Sequence, residues 1–370
     1  MPASKVYFSD MRTDPNSPNL TGKLHRLMKA AGFESIDFDG KFTAVKVNVG
    51  EPGNLAYLRP NWAREVCDYV KSLGGLPFIT DCNTLYVGGR RNGLEHLDSA
   101  YANGWNPFQT GVHTVIADGL KGNDEAWIPV EGGEYVKEAK IGRAIADADV
   151  VISLNHFKGH ELTGFGGAIK NLGMGSGSRA GKMEMHSAGR AFVRTEDCIG
   201  CGMCVKNCAQ GAPHIENGKC SIDPDKCVGC GRCLGVCPKK AIEAPFDQAN
   251  DILNRKMAEY AKAVCQGKQC FHVSLVIDVS PYCDCHPEND APIVPNVGMF
   301  ASFDPVALDR ACADAVNAQT PLENTLLSES ARCHHDHFTD VFPTTDWRSC
   351  LTHAEKIGLG TEEYELIKIG

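Results

Sequence analysis

The chain has 370 residues, of which 43% are hydrophobic and 22% charged, a balance typical of a globular protein with a sizeable core. Its formal net charge of -9 and the lack of a one-sided basic stripe argue against nucleic acid as a partner. The chain start shows no basic segment followed by an apolar run, and no stretch reaches roughly eighteen uninterrupted apolar residues. We therefore expect a cytoplasmic protein without a membrane span.

Apolar or β-branched runs alternate with amphipathic segments along both ends of the chain, as in βαβ units. This alternation favours an α/β fold with a mostly parallel sheet. Strands are predicted at 42–49, 76–80, 113–117, 149–154, 272–279 and 297–302. Helices are predicted at 60–73, 94–103, 251–264 and 305–316.

Between residues 194 and 244 the alternation stops, and closely spaced cysteines and glycines replace it. Neither flanking part carries a linker or termination signal, so one interrupted domain is the simpler interpretation. We predict an α/β domain made of residues 1–190 and 246–370, with a small α+β domain of the dicluster ferredoxin type inserted at 191–245.

The inserted segment contains an internal repeat that predicts two 4Fe-4S clusters. The sequence DCIGCGMCVKNC from Asp197 matches KCVGCGRCLGVC from Lys226, and both halves have the spacing C-x2-C-x2-C-x3-C. At this spacing three thiolates bind one cluster and the fourth reaches the other cluster. The first cluster is then assigned to Cys198, Cys201, Cys204 and Cys237, and the second to Cys227, Cys230, Cys233 and Cys208.

The eighteen cysteines suit such redox chemistry better than structural disulfides, and zinc does not require a fourth cysteine at this spacing. Glycines within the loops allow unusual backbone angles and a close approach of N–H groups to sulfur. The segment resembles the bacterial dicluster ferredoxins, with Pro238 after Cys237 and with Ala209 where the first half would carry proline. Cys220 falls outside the motif and is interpreted as a packed thiol.

A polar segment, NHFKGHELTGFGGAIKN at residues 155–171, follows the strand predicted at 149–154. Ligands bind at the carboxyl ends of strands in α/β sheets, so Lys158, His160 and Lys170, with Asn171, are candidates for an anion or acid/base site. A polar surface loop is the alternative. The glycine-rich continuation at 173–182 fits neither GxxxxGK[ST] nor GxGxxG and is interpreted as a flexible lead into the inserted segment.

Two further clusters contain metal-ligating residue types. Cys283, Cys285 and His286 directly follow a predicted strand, at a spacing compatible with metal binding but typical of no particular site. The other cluster is CHHDH at residues 333–337, which includes His334, His335 and His337. For this second cluster a surface loop is the favoured interpretation.

Three segments resemble recurring stretches of the domain of unknown function 362 family. They are Lys158 to Asn171, Asp278 to Cys285, and GMFASFDPVALD from Gly298 to Asp309. The resemblance covers most of the chain and implies an iron-sulfur cluster-binding protein, but no catalytic residue set. Asp304, Pro305 and Asp309 match its aspartate-proline segment, which can cap a helix or act on a substrate.

The leading functional hypothesis is an oxidoreductase that relays electrons between a donor or acceptor protein and a site in the α/β domain, where Lys158, His160 and Lys170 stabilise an anionic small molecule. One alternative is an isomerase or lyase whose clusters serve structure or regulation. Another is a non-enzymatic electron carrier or redox sensor. The sequence leaves open the substrate, the reduction potentials, the oligomeric state and the presence of a flavin or additional metal.

Overall fold

The computed structural model describes residues 2–187, 190–330 and 336–370. Strands β1 to β16 lie, in chain order, at Ser4–Asp10, Phe42–Lys46, Leu76–Asp81, Thr114–Ile116, Glu125–Pro129, Glu138–Gly142, Val150–His156, Lys158–His160, Gly164–Gly166, Phe192–Val193, Pro213–Glu216, Lys219–Ile222, Ile242–Glu243, Gln269–Val276, Gly298–Ser302 and Tyr364–Lys368. Helices α1 to α14 lie at Leu20–Ala30, Pro60–Ser72, Gly93–Ala102, Pro107–Thr110, Arg143–Asp147, Ala168–Ser176, Arg179–His186, Met203–Asn207, Arg232–Val236, Asn250–Cys265, Pro305–Asn317, Leu326–Ser330, His337–Val341 and Trp347–Lys356. In these ranges no helix is long and apolar enough to cross a bilayer.

An eight-stranded sheet organises the fold, with the strand order β16-β1-β15-β14-β7-β2-β3-β4. Neighbouring strands pair in parallel except at β15, which runs antiparallel to both β1 and β14. The α/β prediction with a mostly parallel sheet is therefore confirmed, and the strand predicted at 297–302 is the exception in direction.

The central strand β7 is buried along its whole length. Val150, Ile152 and Leu154 pack into the core on one face of the sheet, whereas Val151 packs into the core on the other face. Side chains alternate across a strand, so a continuous apolar run is what a strand covered on both faces requires. Helices on each face provide that cover.

The predicted helix at 60–73 corresponds to α2, which has Pro60 in its first turn, where a missing N–H costs nothing. The chain leaves this helix through Gly74, whose φ of +85° favours glycine. The helix predicted at 251–264 is α10, and the helix predicted at 305–316 is α11. Periodicity therefore located these elements correctly.

The interpretation of residues 173–182 as a flexible lead was wrong. This segment forms the end of α6 and the start of α7, and most of it is buried. Its glycines permit close packing: a Cβ on Gly181 would lie 2.7 Å from the carbonyl oxygen of Lys140, and one on Gly173 would collide with the carbonyl of Met257. Glycine here serves helix packing rather than flexibility.

Of the described residues between 191 and 245, none adds a strand to the large sheet. They form two small two-stranded sheets, β10 with β13 and β11 with β12, and the short helices α8 and α9. The sequence repeat has a backbone counterpart, because Gly202 and Gly231 precede α8 and α9 with φ of 72° and 64°. The domain boundaries drawn from the sequence remain a prediction.

Candidate functional site

A cavity of about 660 Å³ lies at the carboxyl ends of three adjacent strands, β7, β2 and β3. The last residue of each strand, His156, Lys46 and Asp81 respectively, lines the cavity. Ligands of open α/β sheets bind in this kind of crevice. The strand ends therefore form the floor of a candidate binding site.

The three residues predicted as catalytic all line this cavity. Lys158 and His160 belong to β8, directly after β7, and Lys170 belongs to α6. The Nζ of Lys158 donates to the carbonyl of His156 at 3.1 Å and lies 3.3 Å from a carboxylate oxygen of Asp284. Burial opposes charge on Asp284, but His156 and Lys158 together hold its pKa below the usual range.

His160 has a defined tautomer. Its Nδ1 accepts the backbone N–H groups of Leu162 at 3.0 Å and Thr163 at 3.3 Å. Burial, reinforced by the nearby charge of Lys170, lowers the pKa of His160 to about 4. The ring is therefore neutral near pH 7 and carries its proton on Nε2, as a hydrogen-bond donor.

The loop after β14 brings two thiols to the same cavity wall. The N–H of His286 donates to the carbonyl of Cys283 at 2.9 Å, which closes a turn around Cys285. The two sulfurs and a ring nitrogen of His160 lie within 4.8 Å of one another, a spacing that could hold a metal ion. Cys285 and His286 line the cavity, whereas Cys283 is fully buried.

Charged neighbours polarise these thiols. The Nζ of Lys170 donates to the Sγ of Cys283 at 3.2 Å. A hydrogen bond between the thiols, together with burial, raises the pKa of Cys283 to about 12, and the same bond lowers the pKa of Cys285. Burial opposes charge on Lys170, but both cysteines raise its pKa, so it stays an ammonium ion. His286 is hydrogen-bonded to Glu161 at 2.9 Å, which raises the pKa of His286.

A buried ion-pair network also lines the site. Arg90 lies 3.0 Å from Glu51 and 3.2 Å from Asp81, which in turn lies 3.0 Å from Lys46. Sequence reasoning missed all four residues. Lys46 lies within the strand predicted at 42–49 and Asp81 directly follows the strand predicted at 76–80, so both were detectable, but Arg90 and Glu51 lie in loops that offer no such signal.

The cavity wall carries an excess of positive charge. Its lysine and arginine residues are Lys46, Arg90, Lys158, Lys170 and Lys182, and its carboxylates are Glu51, Asp81 and Glu161. Lys182 donates to the carbonyl of Gly177 at 2.6 Å and, within the described residues, forms no salt bridge. An anionic ligand would meet the charge of this lysine without displacing a carboxylate partner.

The cysteines assigned to the first cluster lie close together. Cys198, Cys201, Cys204 and Cys237 line one small cavity with Cys220. The Sγ of Cys220 lies 3.4 Å from that of Cys204, and its backbone N–H donates to the Sγ of Cys198 at 3.2 Å. Cys220 is buried, in agreement with the packed thiol that was predicted, and it directly contacts the proposed ligands.

The second cysteine loop packs on α7. A Cβ built on Gly231 would lie 2.9 Å from the side chain of Arg179, and one on Gly229 would lie 4.0 Å from Met183. Two other residues of α7, Lys182 and His186, line the large cavity. One helix thus borders both the cysteine-rich segment and the cavity.

The aspartate-proline segment has a structural role in this fold. Asp304 caps α11 by accepting the N–H groups of Val306 and Ala307, as the capping interpretation predicts. Asp309 accepts the N–H groups of Ala168 and Ile169 at the start of α6, at 2.6 and 2.9 Å. Asp309 therefore caps a second helix from a distant part of the chain.

The CHHDH cluster is described only in part, because Cys333, His334 and His335 lie outside the described residues. Asp336 accepts hydrogen bonds from the indole of Trp347 at 2.9 Å and from backbone N–H groups of α13. His337 Nε2 lies 2.9 Å from the carbonyl of Gln319. Both described members of the cluster thus have structural partners.

The fold and the site define an α/β protein with a cationic cavity at the carboxyl edge of a mostly parallel sheet and a cysteine-rich segment packed beside it. The chain belongs to the family described as "Domain of unknown function (DUF362)", whose model matches residues 43–314. The family resemblance expected from the sequence is thereby confirmed.

Two solved structures match most of the chain. The lactate racemase apoprotein from Thermoanaerobacterium thermosaccharolyticum is 13% identical, with a TM-score of 0.41, over 85% of this chain and 58% of that chain. A structural-genomics protein from Thermotoga maritima is 13% identical, with a TM-score of 0.40, over 79% of this chain and 57% of that chain. The present chain thus spans less than two thirds of either. No curated protein matches the sequence.

Proposed function

We propose that this chain is a cytoplasmic iron-sulfur oxidoreductase that exchanges electrons with a partner protein and acts on an anionic small molecule in the cavity. The observation that carries the proposal is the position of α7. This helix contacts the second cysteine loop through Arg179 and Met183, and it lines the cavity through Lys182 and His186. A short, buried connection of this kind suits electron transfer between two sites.

The donor set fits the predicted cofactors. We propose that Cys198, Cys201, Cys204 and Cys237 hold one 4Fe-4S cluster and that Cys227, Cys230, Cys233 and Cys208 hold another. In support, the first four cysteines line one cavity, and glycines with φ of 64° to 72° at 200, 202, 229 and 231 give both loops the backbone conformation that close N–H approach requires. Such clusters, when bound, supply one-electron transfer.

The division of the chain follows from the same proposal. Residues 191–245 would form the cluster-binding domain, and residues 1–190 and 246–370 would form the domain that binds the substrate. Exposed apolar side chains lie next to the cysteines in both halves of the repeat, at Ile199 and Val228. A partner protein that donates or accepts electrons could contact this surface.

Within the cavity, the chain's own residues would bind and polarise the substrate. Lys182 offers an ammonium group without a carboxylate partner among the described residues, and Lys158 and Lys170 add buried positive charge. His160 presents a neutral ring that donates through Nε2. Pre-oriented cations and donors stabilise negative charge that develops during a reaction, and so we propose Lys158, His160 and Lys170 as catalytic residues.

The experiment uses anaerobically purified protein reduced with dithionite. The reduced protein is mixed rapidly with a panel of anionic oxidants, including 2-oxo acids and disulfides, and cluster reoxidation is followed by visible absorbance. At least one compound should reoxidise the wild type, and Lys158→Ala and His160→Ala should slow this reaction by about 10²-fold while retaining iron.

Lys41→Ala is the matched control, because Lys41 forms a surface ion pair with Asp37 away from the cavity. This variant should reoxidise at the wild-type rate. Full rates in Lys158→Ala and His160→Ala would contradict the site assignment. Turnover of a carbon acid without any electron donor would contradict the redox proposal and favour an isomerase or lyase.

A further inference from the structure

A pair of thiols at the cavity wall has the properties of a redox-active site. Cys283 and Cys285 are separated by one residue, and their sulfurs lie within 4.8 Å of each other. Asp284 between them is fully buried and is fixed by His156 at 2.8 Å and Lys158 at 3.3 Å. The backbone that carries the two thiols is therefore anchored through the side chain of Asp284.

The hydrogen bonds at this pair give the two sulfurs different roles. Lys170 donates to the Sγ of the fully buried Cys283 at 3.2 Å, and Cys283 is hydrogen-bonded to Cys285, which lines the cavity. Cys285 thus accepts the thiol hydrogen of Cys283, and its position at the cavity wall lets a ligand reach its sulfur. A thiolate is the attacking species in thiol-disulfide exchange, and a neighbouring thiol can resolve the product.

We propose that Cys283 and Cys285 form a dithiol/disulfide couple and that the substrates of the cavity are small anionic disulfides. The Sγ of Cys285 attacks one sulfur of the substrate, breaking its S–S bond and releasing the first thiolate. The Sγ of Cys283 then attacks the Sγ of Cys285, which releases the second thiolate and forms the Cys283–Cys285 disulfide. The thiol protons of the cysteines pass to the two products.

The couple returns to the dithiol by taking up two electrons and two protons. This part rests on the proposed function, because a ferredoxin-class reductant must deliver the electrons one at a time. Lys170 would stabilise the Cys283 thiolate as it leaves the disulfide, since its ammonium group already contacts that sulfur. The cationic wall, with Lys182 among the five basic residues, matches the negative charge of the substrate class.

A metal ion is the competing occupant of this position, because the two sulfurs and His160 have a suitable spacing. The hydrogen bonds of His160 oppose it. Its Nδ1 lone pair accepts the N–H groups of Leu162 and Thr163, so Nε2 carries the proton and has no lone pair to offer. Histidine ligands of metals instead donate their second N–H to an acceptor.

The exchange step can be tested on the full protein without any electron donor. Anaerobic holoprotein is incubated separately with glutathione disulfide and with lipoate, freed of excess reagent, denatured and alkylated, and its peptides are analysed by mass spectrometry. The peptide containing Cys283 and Cys285 should escape alkylation and be two hydrogen masses lighter than the dithiol. About two glutathione thiols should be released per chain.

Single variants separate the two roles. Cys283→Ser should trap glutathione on Cys285 as a mixed disulfide, whereas Cys285→Ser should react at least about tenfold more slowly. Cys270→Ser is the matched control, because it removes a hydrogen-bonded thiol pair outside the cysteine repeat, Cys265 with Cys270, which lies away from the cavity. This control should behave as the wild type does.

The inference is overturned if both cysteines remain fully alkylated after incubation with both disulfides. It is also overturned if the purified protein holds one zinc ion per chain that Cys285→Ser loses. Addition of a reduced ferredoxin-class donor tests the electron supply separately. If exchange occurs but the donor does not restore the dithiol, the thiol pair stands and the proposed electron relay fails.

Discussion

Asp309 gives a stability prediction that follows directly from hydrogen-bond geometry. Its carboxylate is fully buried and accepts two backbone N–H groups at the start of α6, from Ala168 at 2.6 Å and Ile169 at 2.9 Å. The residue before this helix is Gly167, which has no side chain to serve as a cap. A Cβ on Gly167 would collide with Asp309, so the carboxylate fills the place of a local capping side chain.

Asp309→Ala would leave two buried N–H groups without an acceptor. Each unsatisfied group costs about 1–3 kcal/mol, so the free energy of unfolding should fall by about 2–6 kcal/mol. Asp309→Asn keeps one acceptor oxygen and should lose roughly half as much. Urea unfolding followed by circular dichroism measures both. The control is Asp314→Asn on the same helix, where a partly exposed carboxylate pairs with Arg310 and the change should stay below about 1 kcal/mol.

The same carboxyl makes stability depend on pH with a defined sign. Burial raises the pKa of Asp309 to about 7, so the folded state binds its proton more tightly than the unfolded state does. This contribution is complete below pH about 4 and is lost as pH rises to about 7. Asp309→Asn should remove that loss. The reasoning is refuted if the free energy of unfolding of Asp309→Ala stays within about 1 kcal/mol of the wild-type value at both pH about 4 and pH about 7.

Three further predictions concern other buried groups. Glu259 accepts the N–H groups of Tyr135 and Val136; burial opposes the charge of this carboxylate, but His353 and these hydrogen bonds outweigh burial and lower its pKa. The stabilisation that Glu259 provides should therefore be present above pH about 4.5 and be lost on acidification. Urea unfolding at a series of pH values should show this loss in the wild type and not in Glu259→Gln. Lys182→Met should raise the KM of the anionic acceptor by about tenfold with little change in kcat, because an ion pair in a partly buried site is worth roughly 1–2 kcal/mol. Steady-state assays measure this change, with Lys41→Met as the control. Arg179→Met should lower the reduction potential of one cluster by tens of millivolts in a redox titration, because it removes one partly screened positive charge. Arg179→Lys keeps the charge and should change the potential less. An unchanged potential in Arg179→Met would contradict the proximity of this charge to the cluster.

Much of the fold could be predicted from hydrophobic periodicity and from the proline and glycine residues that begin and end helices. The helix α2 has a proline at its start and glycine after its end, and β7 is an apolar run of strand length, so local residues determine both elements. The antiparallel direction of β15 was not accessible, because it depends on which strands lie beside it. The helical structure of residues 173–182 was missed for a similar reason. Their glycines allow close packing against Met257 and Lys140, which are distant in the sequence.

The candidate site was accessible in part. Lys158 and His160 follow a predicted strand, and the rule that ligands bind at strand ends identified them. The contact between Lys170 and Cys283 joins residues 113 positions apart, which one sequence alone does not reveal. Arg90 and Glu51 were missed because their loops carry no motif, although they form a buried ion pair. The repeat of cysteines, by contrast, is explicit in the sequence.

The central claim is that this chain binds two 4Fe-4S clusters through the eight cysteines of the repeat. The most direct measurement is iron and acid-labile sulfide analysis of anaerobically purified protein, together with electron paramagnetic resonance of the reduced form. Two bound clusters require about eight iron and eight sulfide per chain, falling to about half in Cys230→Ala. About four iron in the wild type, or zinc in place of iron, would contradict it.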